Sequence, residues 1–310
     1  MHDYIVMFEN LFLERGLSLD RLKSFIEVHE AGGIARAAVG DPVRQSQYSR
    51  QIKELEEFFG VELVRRKGKG LELTRVGLEL VRVVRENLGG LSEFQRVCQN
   101  SPMRISIGAG DSILHWLVVP KLGEIQEQHA SIGFRLANMR SVDIVQELFD
   151  LRLDFGIVRK GVDTRALEKK LLGSFSYAFY VPRSWLAGKR KPAIGKVLAE
   201  IPIAAQGSDG TFRQELEANA LKEGYRLNIR LNCESFPQAY HALLSEKYGA
   251  VLPAYVDRFI DTKKFIKYED PLFDKQKRSI YLTWNPRLTR IRPFTAKVAD
   301  DLCAQIKLVL

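Results

Sequence analysis

The stretch from Arg44 to Arg50 concentrates polar side chains that a protein core would not favour: Gln45, Ser46, Gln47, Ser49 and Arg50. A Gln carboxamide can form two hydrogen bonds with adenine, an Arg guanidinium can form two with guanine, and a Ser hydroxyl can bond to a base or a phosphate. These residues therefore have the chemistry needed to read base pairs. Taken alone, they could equally be the solvated start of a surface helix, so the neighbouring elements must decide.

A compact basic cluster follows a short way along the chain. It contains no acidic residue and consists of Arg65, Arg66, Lys67 and Lys69. Local clusters of positive charge contact phosphates, whereas a net charge only steers approach. The surrounding sequence, VELVRRKGKGLELT, predicts two short strands joined by a turn that contains Gly and Lys. A hairpin with a basic tip after the polar stretch favours nucleic-acid binding over a solvated helix start.

Three helices are predicted to position the polar stretch. The first spans residues 19–31 behind a Ser18 N-cap, and the second is short, from 34 to about 40. The third runs from about 45 to 59, is capped by Gly60, and has an inner face of Tyr48, Ile52, Leu55, Phe58 and Phe59. This is the layout of a helix-turn-helix, which places the start of its last helix in the major groove of DNA.

A longer helix is predicted from Arg75 to about Cys98. Its inner positions recur in steps of three and four, as in the seam of a coiled coil: Leu80, Val84, Asn87, Leu91, Phe94 and Cys98. Gly89 and Gly90 interrupt it, and each costs roughly 1 kcal/mol relative to Ala within a helix. A seam this short needs a partner, which is either another part of the chain or a second subunit.

Beyond a hinge at 100–103, strand-like runs alternate with helical patterns towards the C-terminus. That alternation predicts parallel, doubly wound α/β sheets, and the length favours two subdomains. The segments SFSYAFYVP and RSIYLTWN are the expected crossings, and a last helix over 294–309 is expected to return to the first subdomain. Subdomain I is therefore predicted at about 102–178 and 281–310, and subdomain II at about 179–280.

Ligands of open α/β sheets bind at the carboxyl ends of strands, often at helix N-termini. Hydroxyl groups occupy such positions in GAGDSI, QGSDGT and CESF, and a basic residue lies in the strand-like run DFGIVRK. The candidate effector-binding residues are Ser112, Ser208, Thr211, Ser235 and Arg159. Each hydroxyl could instead belong to an ordinary helix N-cap. The basic surplus, which lies within residues 101–310, favours a small anionic effector.

The composition argues against several other classes of protein. The chain has 310 residues, a net charge of +9 and 45% hydrophobic residues, which is typical of a folded, soluble protein. Neither a membrane-spanning run nor a signal peptide is predicted, so a cytoplasmic protein without membrane contact is expected. The three Cys and five His are scattered along the chain, so no metal site and no cofactor is expected.

Two segments, LDRLKSFIEVHEAGGIARAA and SRQIKELEEFFGVELVRRKGKGLELTRVG, are similar to the winged helix-turn-helix of LysR-type transcriptional regulators. The resemblance runs without a gap from Leu19 to Gly77. The layout that follows resembles the family's effector-binding region, whose fold is similar to type 2 periplasmic binding proteins. The implied fold is multi-domain: an all-α winged helix-turn-helix domain, a long linker helix, and an α/β effector domain of two Rossmann-like subdomains.

The expected domains follow from this resemblance. They are an N-terminal extension over 1–16, a DNA-binding domain over 17–75, a linker and dimerisation helix over 76–99, and an effector-binding domain over 102–310. The resemblance implies a homodimer or homotetramer that binds double-stranded promoter DNA and a small effector between its subdomains. RNA polymerase is a further expected partner.

The resemblance also transfers roles to residues at matching positions, namely Gln45, Ser49, Arg50 and Arg65. Departures from the family lie around the turn. Ala35 stands where the family has Ser or Thr, Asp41 where it has Leu, and the tripeptide 44–46 where it has Ser-Gln-Pro. The full set of candidate DNA-binding residues is Arg36, Gln45, Ser46, Gln47, Ser49, Arg50, Lys53, Arg65, Arg66, Lys67 and Lys69.

Two other functions remain as alternatives. A solute-binding protein of the periplasmic type would explain the C-terminal half but neither residues 1–100 nor the lack of a predicted signal peptide. An enzyme is not expected, because GAGDS lacks the final glycine of the G-x-S-x-G nucleophile elbow and GAGDSI is not G-x-G-x-x-G. No catalytic residue is therefore assigned. DNA binding that weakens steeply with salt would distinguish the regulator from both alternatives.

Overall fold

Helix α1 spans Leu19–Ala31 and confirms the predicted cap, since Ser18 Oγ accepts a hydrogen bond from the Arg21 N–H at 3.3 Å. It ends at Gly32, whose φ of 70° is left-handed, a conformation that glycine adopts without steric cost. Helix α2 covers only Ile34–Ala37. It is shorter than predicted because the chain turns at Val39 and Gly40, which have φ angles of 51° and 80°.

Helix α3 spans Pro42–Phe59 and starts earlier than predicted from the sequence. Asp41 is its N-cap, and the carboxylate accepts hydrogen bonds from the N–H groups of Val43 at 2.8 Å and Arg44 at 3.3 Å. Pro42 follows at the first helical position, where its missing N–H costs nothing. The residues GDP therefore break α2 but begin α3. Gly60, with a φ of 66°, confirms the predicted C-terminal cap.

The core of the first unit lies between these helices and a hairpin. Buried apolar side chains from α1, α3, the hairpin, the residues beside these elements and the following helix meet there: Phe25, Val28, Ala38, Tyr48, Ile52, Leu55, Leu63, Leu73 and Val81. The hairpin consists of antiparallel strands β1 (Val64–Lys67) and β2 (Gly70–Leu73). Glu56 ties it to α3, since its Oε1 accepts from the N–H groups of Leu63 at 2.8 Å and Val64 at 3.1 Å.

Helix α4 spans Arg75–Cys98, as predicted. The predicted seam along it divides into two parts. Val84 is buried and Leu80 packs against the core of its own unit, whereas Leu91 and Phe94 are 58% and 69% exposed. The seam's first half therefore finds its partner within the chain, because these residues face the core at the start of the helix. Only its second half remains exposed.

The computed structural model describes residues 11, 16–67, 70–99, 102–186, 191–207 and 211–307, without the side chains of 66, 67, 70 and 97. Residues 1–94 and 95–310 form two units. Most of the predicted N-terminal extension, 1–16, lies outside the described residues. None of the helices in the described ranges combines the length and apolar character that crossing a membrane requires.

The second unit contains two five-stranded mixed sheets. Sheet I has the order β4-β3-β5-β12-β6, with β3 (Met103–Ala109), β4 (Ile132–Asn138), β5 (Phe155–Arg159), β6 (Glu168–Phe175) and β12 (Arg278–Trp284). Sheet II has the order β11-β7-β10-β8-β9, with β7 (Tyr177–Pro182), β8 (Ile203–Gln206), β9 (Ile229–Cys233), β10 (Gly249–Pro253) and β11 (Phe265–Tyr268).

The helices that follow these strands cover the sheets. They are α5 (Asp111–Ile113), a π-helical turn (Leu114–Val118), α6 (Val119–Gln128), α7 (Ser141–Phe149), α8 (Ile194–Glu200), α9 (Thr211–Lys222), α10 (Phe236–Leu244), α11 (Pro271–Asp274), α12 (Pro286–Ile291) and α13 (Thr295–Lys307). Short 3-10 helices cover Arg183–Leu186 and Ala254–Phe259.

The topology adds antiparallel strands to the parallel, doubly wound sheets predicted from the sequence. Strands β3, β4 and β5 are parallel, but β12 runs antiparallel to both β5 and β6. Strand β7 is likewise antiparallel to β10 and β11. Antiparallel strands arise because the chain crosses from sheet I to sheet II between β6 and β7 and returns at β12. These crossings fall at Ser176 and just before Arg278, slightly earlier than the predicted boundaries.

Two glycines in α4 provide a matched test of this packing. A Cβ added at Gly77 would lie 2.1 Å from the Leu63 carbonyl oxygen, whereas one added at Gly89 would meet no described atom within 4 Å. We expect Gly77→Ala to destabilise the first unit by roughly 1–3 kcal/mol through overpacking. Gly89→Ala should stabilise α4 by about 1 kcal/mol, because alanine is the better helix former.

Hydrogen exchange of the α1, α3 and α4 amides over a urea series measures both effects in the full chain. Effects of the same sign in the two variants would contradict the close approach of α4 to the Leu63 carbonyl group.

Candidate nucleic-acid interface and subdomain junction

Helix α3 has two faces of opposite character. Tyr48, Ile52 and Leu55 are buried against α1, and burying each side chain of this size contributes roughly 1.5–3 kcal/mol. The side chains before and between them are exposed: Gln45, Ser46, Gln47, Ser49, Arg50 and Lys53. Packing of the apolar stripe therefore places the predicted base-reading residues together on the outer side and at the free N-terminal end of the helix.

Side-chain hydrogen bonds fix α3 against α1. Tyr48 donates to Glu27 Oε2 at 2.8 Å, and this bond raises the pKa of Tyr48 because it favours the neutral phenol. Glu54 accepts from Arg21 of α1 and lies 3.7 Å from Arg50 Nε. Arg50 is 75% exposed, so this contact leaves most of the guanidinium available to a ligand.

The other candidates for DNA binding occupy α2 and the hairpin. Arg36 is exposed on α2, and its guanidinium lies over Gly32 at the carboxyl end of α1. Lys53 lies 3.6 Å from Glu57, and Arg65 of β1 lies 3.3 Å from Glu72 of β2. The side chains of Arg66 and Lys67, and the whole of Lys69, lie outside the described residues. The described cations are thus exposed but weakly paired, which suits contact with phosphates.

An aromatic cluster forms the junction between the two subdomains of the second unit. The Trp116 ring of subdomain I lies 5.8 Å from that of Tyr240, and the Phe175 ring lies 4.8 Å from that of Tyr255. Tyr240 and Tyr255 belong to subdomain II. These centroid distances suit edge-to-face contacts, which stabilise beyond the buried area alone. The junction between the subdomains is therefore apolar and well packed.

Positive charge lies at this junction. Burial raises the pKa of Tyr177 to about 12, while the positive charges of Arg278 and Arg159 act in the opposite direction. Arg278 begins β12 in sheet I, and its Nη2 donates to Glu215 of α9 in subdomain II. The candidate residue Arg159 thus lies close enough to Tyr177 to interact with it electrostatically. The Arg278–Glu215 ion pair joins the two subdomains, and Arg159 is a second cation near the same place.

Ser112 lies at the same junction. It is half-buried in α5, directly after β3. Its neighbour across the junction is Tyr255, whose pKa is raised because the side chain is buried, although Ser112 partly opposes this shift. Both Tyr177 and Tyr255 are therefore neutral near pH 7 and retain a hydroxyl group that can donate a hydrogen bond.

Strands β8 and β9 bring two further candidates to the edge of the aromatic cluster. Thr211 is the exposed first residue of α9, and Ser235 caps α10 by accepting from the Gln238 N–H at 3.5 Å. The following residues, Phe212 and Phe236, have ring centroids 5.0 Å apart. Both rings lie close to Tyr177, at 4.4 and 5.5 Å. Ser208 lies outside the described residues.

The ends of β8 and β9 are held together by backbone and side-chain bonds. The Gly207 N–H donates to the Cys233 carbonyl at 2.6 Å. Arg213 is buried and donates to the Gln206 carbonyl at 3.4 Å and to Asn232 Oδ1 at 3.3 Å. These contacts hold the start of α9, with Thr211, close to the end of β9, which Ser235 follows.

Three junction residues were missed by sequence reasoning: Tyr177, Tyr255 and Arg278. Tyr177 and Arg278 lie within the segments SFSYAFYVP and RSIYLTWN, which were interpreted only as crossings between subdomains. A strand that crosses between subdomains must pass their junction. Polar side chains at the ends of such strands therefore could have indicated residues of the junction. Tyr255 follows β10 and carried no such signal. Within the described ranges, no three His, Cys, Asp or Glu side chains come together as a metal-binding group.

Sequence comparison agrees with this architecture. The model for bacterial regulatory helix-turn-helix proteins of the lysR family matches residues 19–78, and the model for the LysR substrate binding domain matches residues 99–298. The chain belongs to the LysR family. The matched ranges include α1 to α3, the hairpin and most of the two-sheet unit.

Relatives within the LysR family are distant in sequence. The probable nitrogen assimilation transcriptional activator of Synechococcus elongatus is 29% identical over 262 residues, which cover 81% of this chain and 84% of that protein. The transcriptional activator AmpR of Pseudomonas aeruginosa is 32% identical over 144 residues, or 45% of this chain and 48% of that protein. The chain thus spans about half the length of some of the curated relatives it matches.

A solved structure of similar fold is that of a full-length OxyR variant from Pseudomonas aeruginosa. It has a TM-score of 0.61 and 18% sequence identity, with 95% of this chain and 96% of that chain covered. At this identity the likeness concerns the fold, namely a helix-turn-helix unit and an α/β unit of two sheets in one chain.

The Tyr48–Glu27 bond provides a test of how firmly α3 is held. Tyr48→Phe should destabilise the first unit by about 1 kcal/mol, because it removes a hydrogen bond between α1 and α3. Glu27→Ala removes the acceptor of the same bond and should cost a similar amount. Urea unfolding followed by hydrogen exchange, applied to both variants and their double mutant, gives the coupling energy. Strictly additive losses would mean that the two side chains do not stabilise each other.

Proposed function

We propose that this protein is a sequence-specific DNA-binding transcriptional regulator controlled by a small anion bound at the subdomain junction. The observation that carries the proposal is the two-faced helix α3. Its buried stripe holds it on α1, while residues with base-reading chemistry are exposed at its N-terminal end. This is the arrangement by which a recognition helix enters the major groove.

Base reading and phosphate contact are assigned to different elements. Gln45, Gln47 and Arg50 on α3 form hydrogen bonds with base edges, and Ser46 and Ser49 bond to bases or phosphates. Arg36, Lys53 and the hairpin cations Arg65, Arg66, Lys67 and Lys69 contact the backbone, which positions α3 without reading sequence. The 75% exposure of the Arg50 side chain supports its role as the central reader.

The anion is proposed to bind where Arg159 and Arg278 approach Tyr177. Two guanidinium groups favour a carboxylate or similar anion, and the neutral phenols of Tyr177 and Tyr255 can donate hydrogen bonds to it. Ser112, Thr211 and Ser235 supply further donors at strand ends, and Ser208 remains a candidate on its sequence position alone.

Regulation requires that the anion favour one arrangement of the chain over another. Arg278 and Glu215 join the subdomains through an ion pair. An anion that competes with Glu215 for Arg278 would bind two subdomain arrangements with different affinity, which is the condition for shifting their populations.

The exposed half of α4, with Leu91 and Phe94, is proposed to pair with a second copy of the chain.

The DNA-binding assignment is tested with two arginine variants. Arg50→Ala should weaken binding to a selected duplex roughly tenfold to a hundredfold more than binding to random DNA, because it removes base contacts. Arg65→Ala should weaken binding to the selected duplex and to random DNA about equally, because it removes a phosphate contact. For the same reason it should reduce the slope of log affinity against log salt concentration by about one. Fluorescence anisotropy at two or more salt concentrations measures these effects.

Equal losses on selected and random DNA for Arg50→Ala would contradict the base-reading role. Binding of the wild-type chain to every duplex with the same affinity would reject the regulator and leave a solute-binding protein as the better description.

The assignment of an anionic effector is tested by removing the negative charge of Glu215, which competes with an anion for Arg278. Glu215→Gln should increase the affinity for the anions that stabilise the wild-type chain by up to about fivefold, as expected for a partly exposed ion pair. Thermal-shift titrations with the sodium salts of sulfate, phosphate, acetate, succinate and benzoate measure this affinity. Glu217→Gln is the matched control, since Glu217 pairs with Arg213 on the same helix.

The two Gln variants should differ in anion affinity although each removes one acidic residue from α9. The same change in both variants would indicate a general charge effect. Stabilisation only by neutral or cationic ligands in a wider screen would reject an anionic effector.

A further inference from the structure

An exposed valine lies at the tip of the proposed recognition helix. Val43 is the second residue of α3, and its side chain is 76% exposed. Its neighbours from Asp41 to Gln47 are also exposed. A single exposed apolar residue is common on protein surfaces and by itself indicates nothing. Its position among the candidate base readers is what makes this one informative.

The backbone around Val43 is well anchored. The Val43 N–H donates to the Asp41 carboxylate at 2.8 Å, and Pro42 restricts the preceding φ angle. A valine in a helix has one strongly preferred side-chain rotamer. The two methyl groups are therefore held in a defined direction away from the core and lose little conformational entropy on contact with a partner.

Helical spacing places Val43 with the polar readers. Residues separated by four and seven positions lie on one face of a helix, so Val43, Gln47 and Arg50 share the outer face of α3. That face is opposite to the stripe of Tyr48, Ile52 and Leu55 that packs on the core. A duplex that meets Gln47 and Arg50 must also come close to Val43.

The major groove offers an apolar partner for such a side chain. Donors and acceptors line the base edges, and the C5-methyl of thymine is the apolar group among them. The polar side chains of Gln47 and Arg50 cannot distinguish thymine by this methyl, whereas a valine can. Contact would remove both methyl surfaces from water, which is favourable for apolar groups.

We propose that Val43 is a specificity-determining residue that selects thymine through contact with its C5-methyl group. The inference rests on the proposed function, since it requires α3 to lie in the major groove. It adds a preference for an A·T pair at one position in each half-site, next to the bases read by Gln47 and Arg50. The methyl group, rather than the hydrogen-bonding edge of the base, carries this preference.

The experiment begins with the full-length protein and a pool of random-sequence duplexes. A tightly bound duplex is enriched, and its thymines are replaced one at a time by uracil, which lacks only the methyl group. At one thymine per half-site the wild-type chain should lose about fourfold in affinity, the value expected for one buried methyl-sized group. Val43→Ala should bind the thymine duplex more weakly and be nearly insensitive to the same replacement.

Two further variants complete the test. Val61→Ala is the matched control, because Val61 is 41% exposed in the same unit but follows the opposite end of α3. It should keep the full fourfold response to uracil. Val43→Thr retains one methyl group and should show an intermediate response. Circular dichroism of each variant checks that the fold is unchanged.

The outcomes are distinguishable. If Val43→Ala responds to every uracil replacement as the wild-type chain does, Val43 does not read a methyl group and the inference is wrong, although the protein remains a sequence-specific binder. If no replacement weakens the wild-type chain, the inference is wrong for the same reason. If no duplex is enriched from the pool, the proposed function fails and the inference fails with it.

Discussion

The packing of one helix face organises the first unit of this protein. Tyr48, Ile52 and Leu55 must leave water, and the side chains of α1, with Phe25 at their centre, provide the surface that receives them. Because a helix has two sides, burying this stripe turns the polar residues of the same helix outwards. The cap at Asp41 and the attachment of the hairpin through Glu56 then position both ends of α3 around that contact.

In the second unit, burial of apolar side chains holds two sheets together, as it holds α3 against α1 in the first unit. Rings from both subdomains meet at the junction, so apolar contact holds the sheets together, while Arg278 and Glu215 pair across it. Cations beside buried phenols create a place where a small anion is better solvated than in an apolar cleft. The proposed ligand site is therefore a consequence of how the two sheets pack.

Local patterns explain which features could be predicted. Caps such as Ser18 and Gly60 depend on a few neighbouring residues, so their chemistry is visible in the sequence and the structure confirms them. The start of α3 was predicted too late because GDP was interpreted as a helix breaker, although Asp followed by Pro is also a good helix start. Strand β6 is hard to predict from the sequence, since it exposes several consecutive residues and shows no simple alternation.

The sequence by itself determined the helix-turn-helix layout and the long α4, because these depend on spacing and capping along a continuous segment, and two of its segments are similar to those of LysR-type regulators. Tertiary structure alone decided which half of the α4 seam is buried, and it alone brought Tyr177, Tyr255 and Arg278 together. These residues are far apart in the chain. Their proximity follows from strands that cross between two sheets, a long-range constraint that no local pattern of side chains encodes.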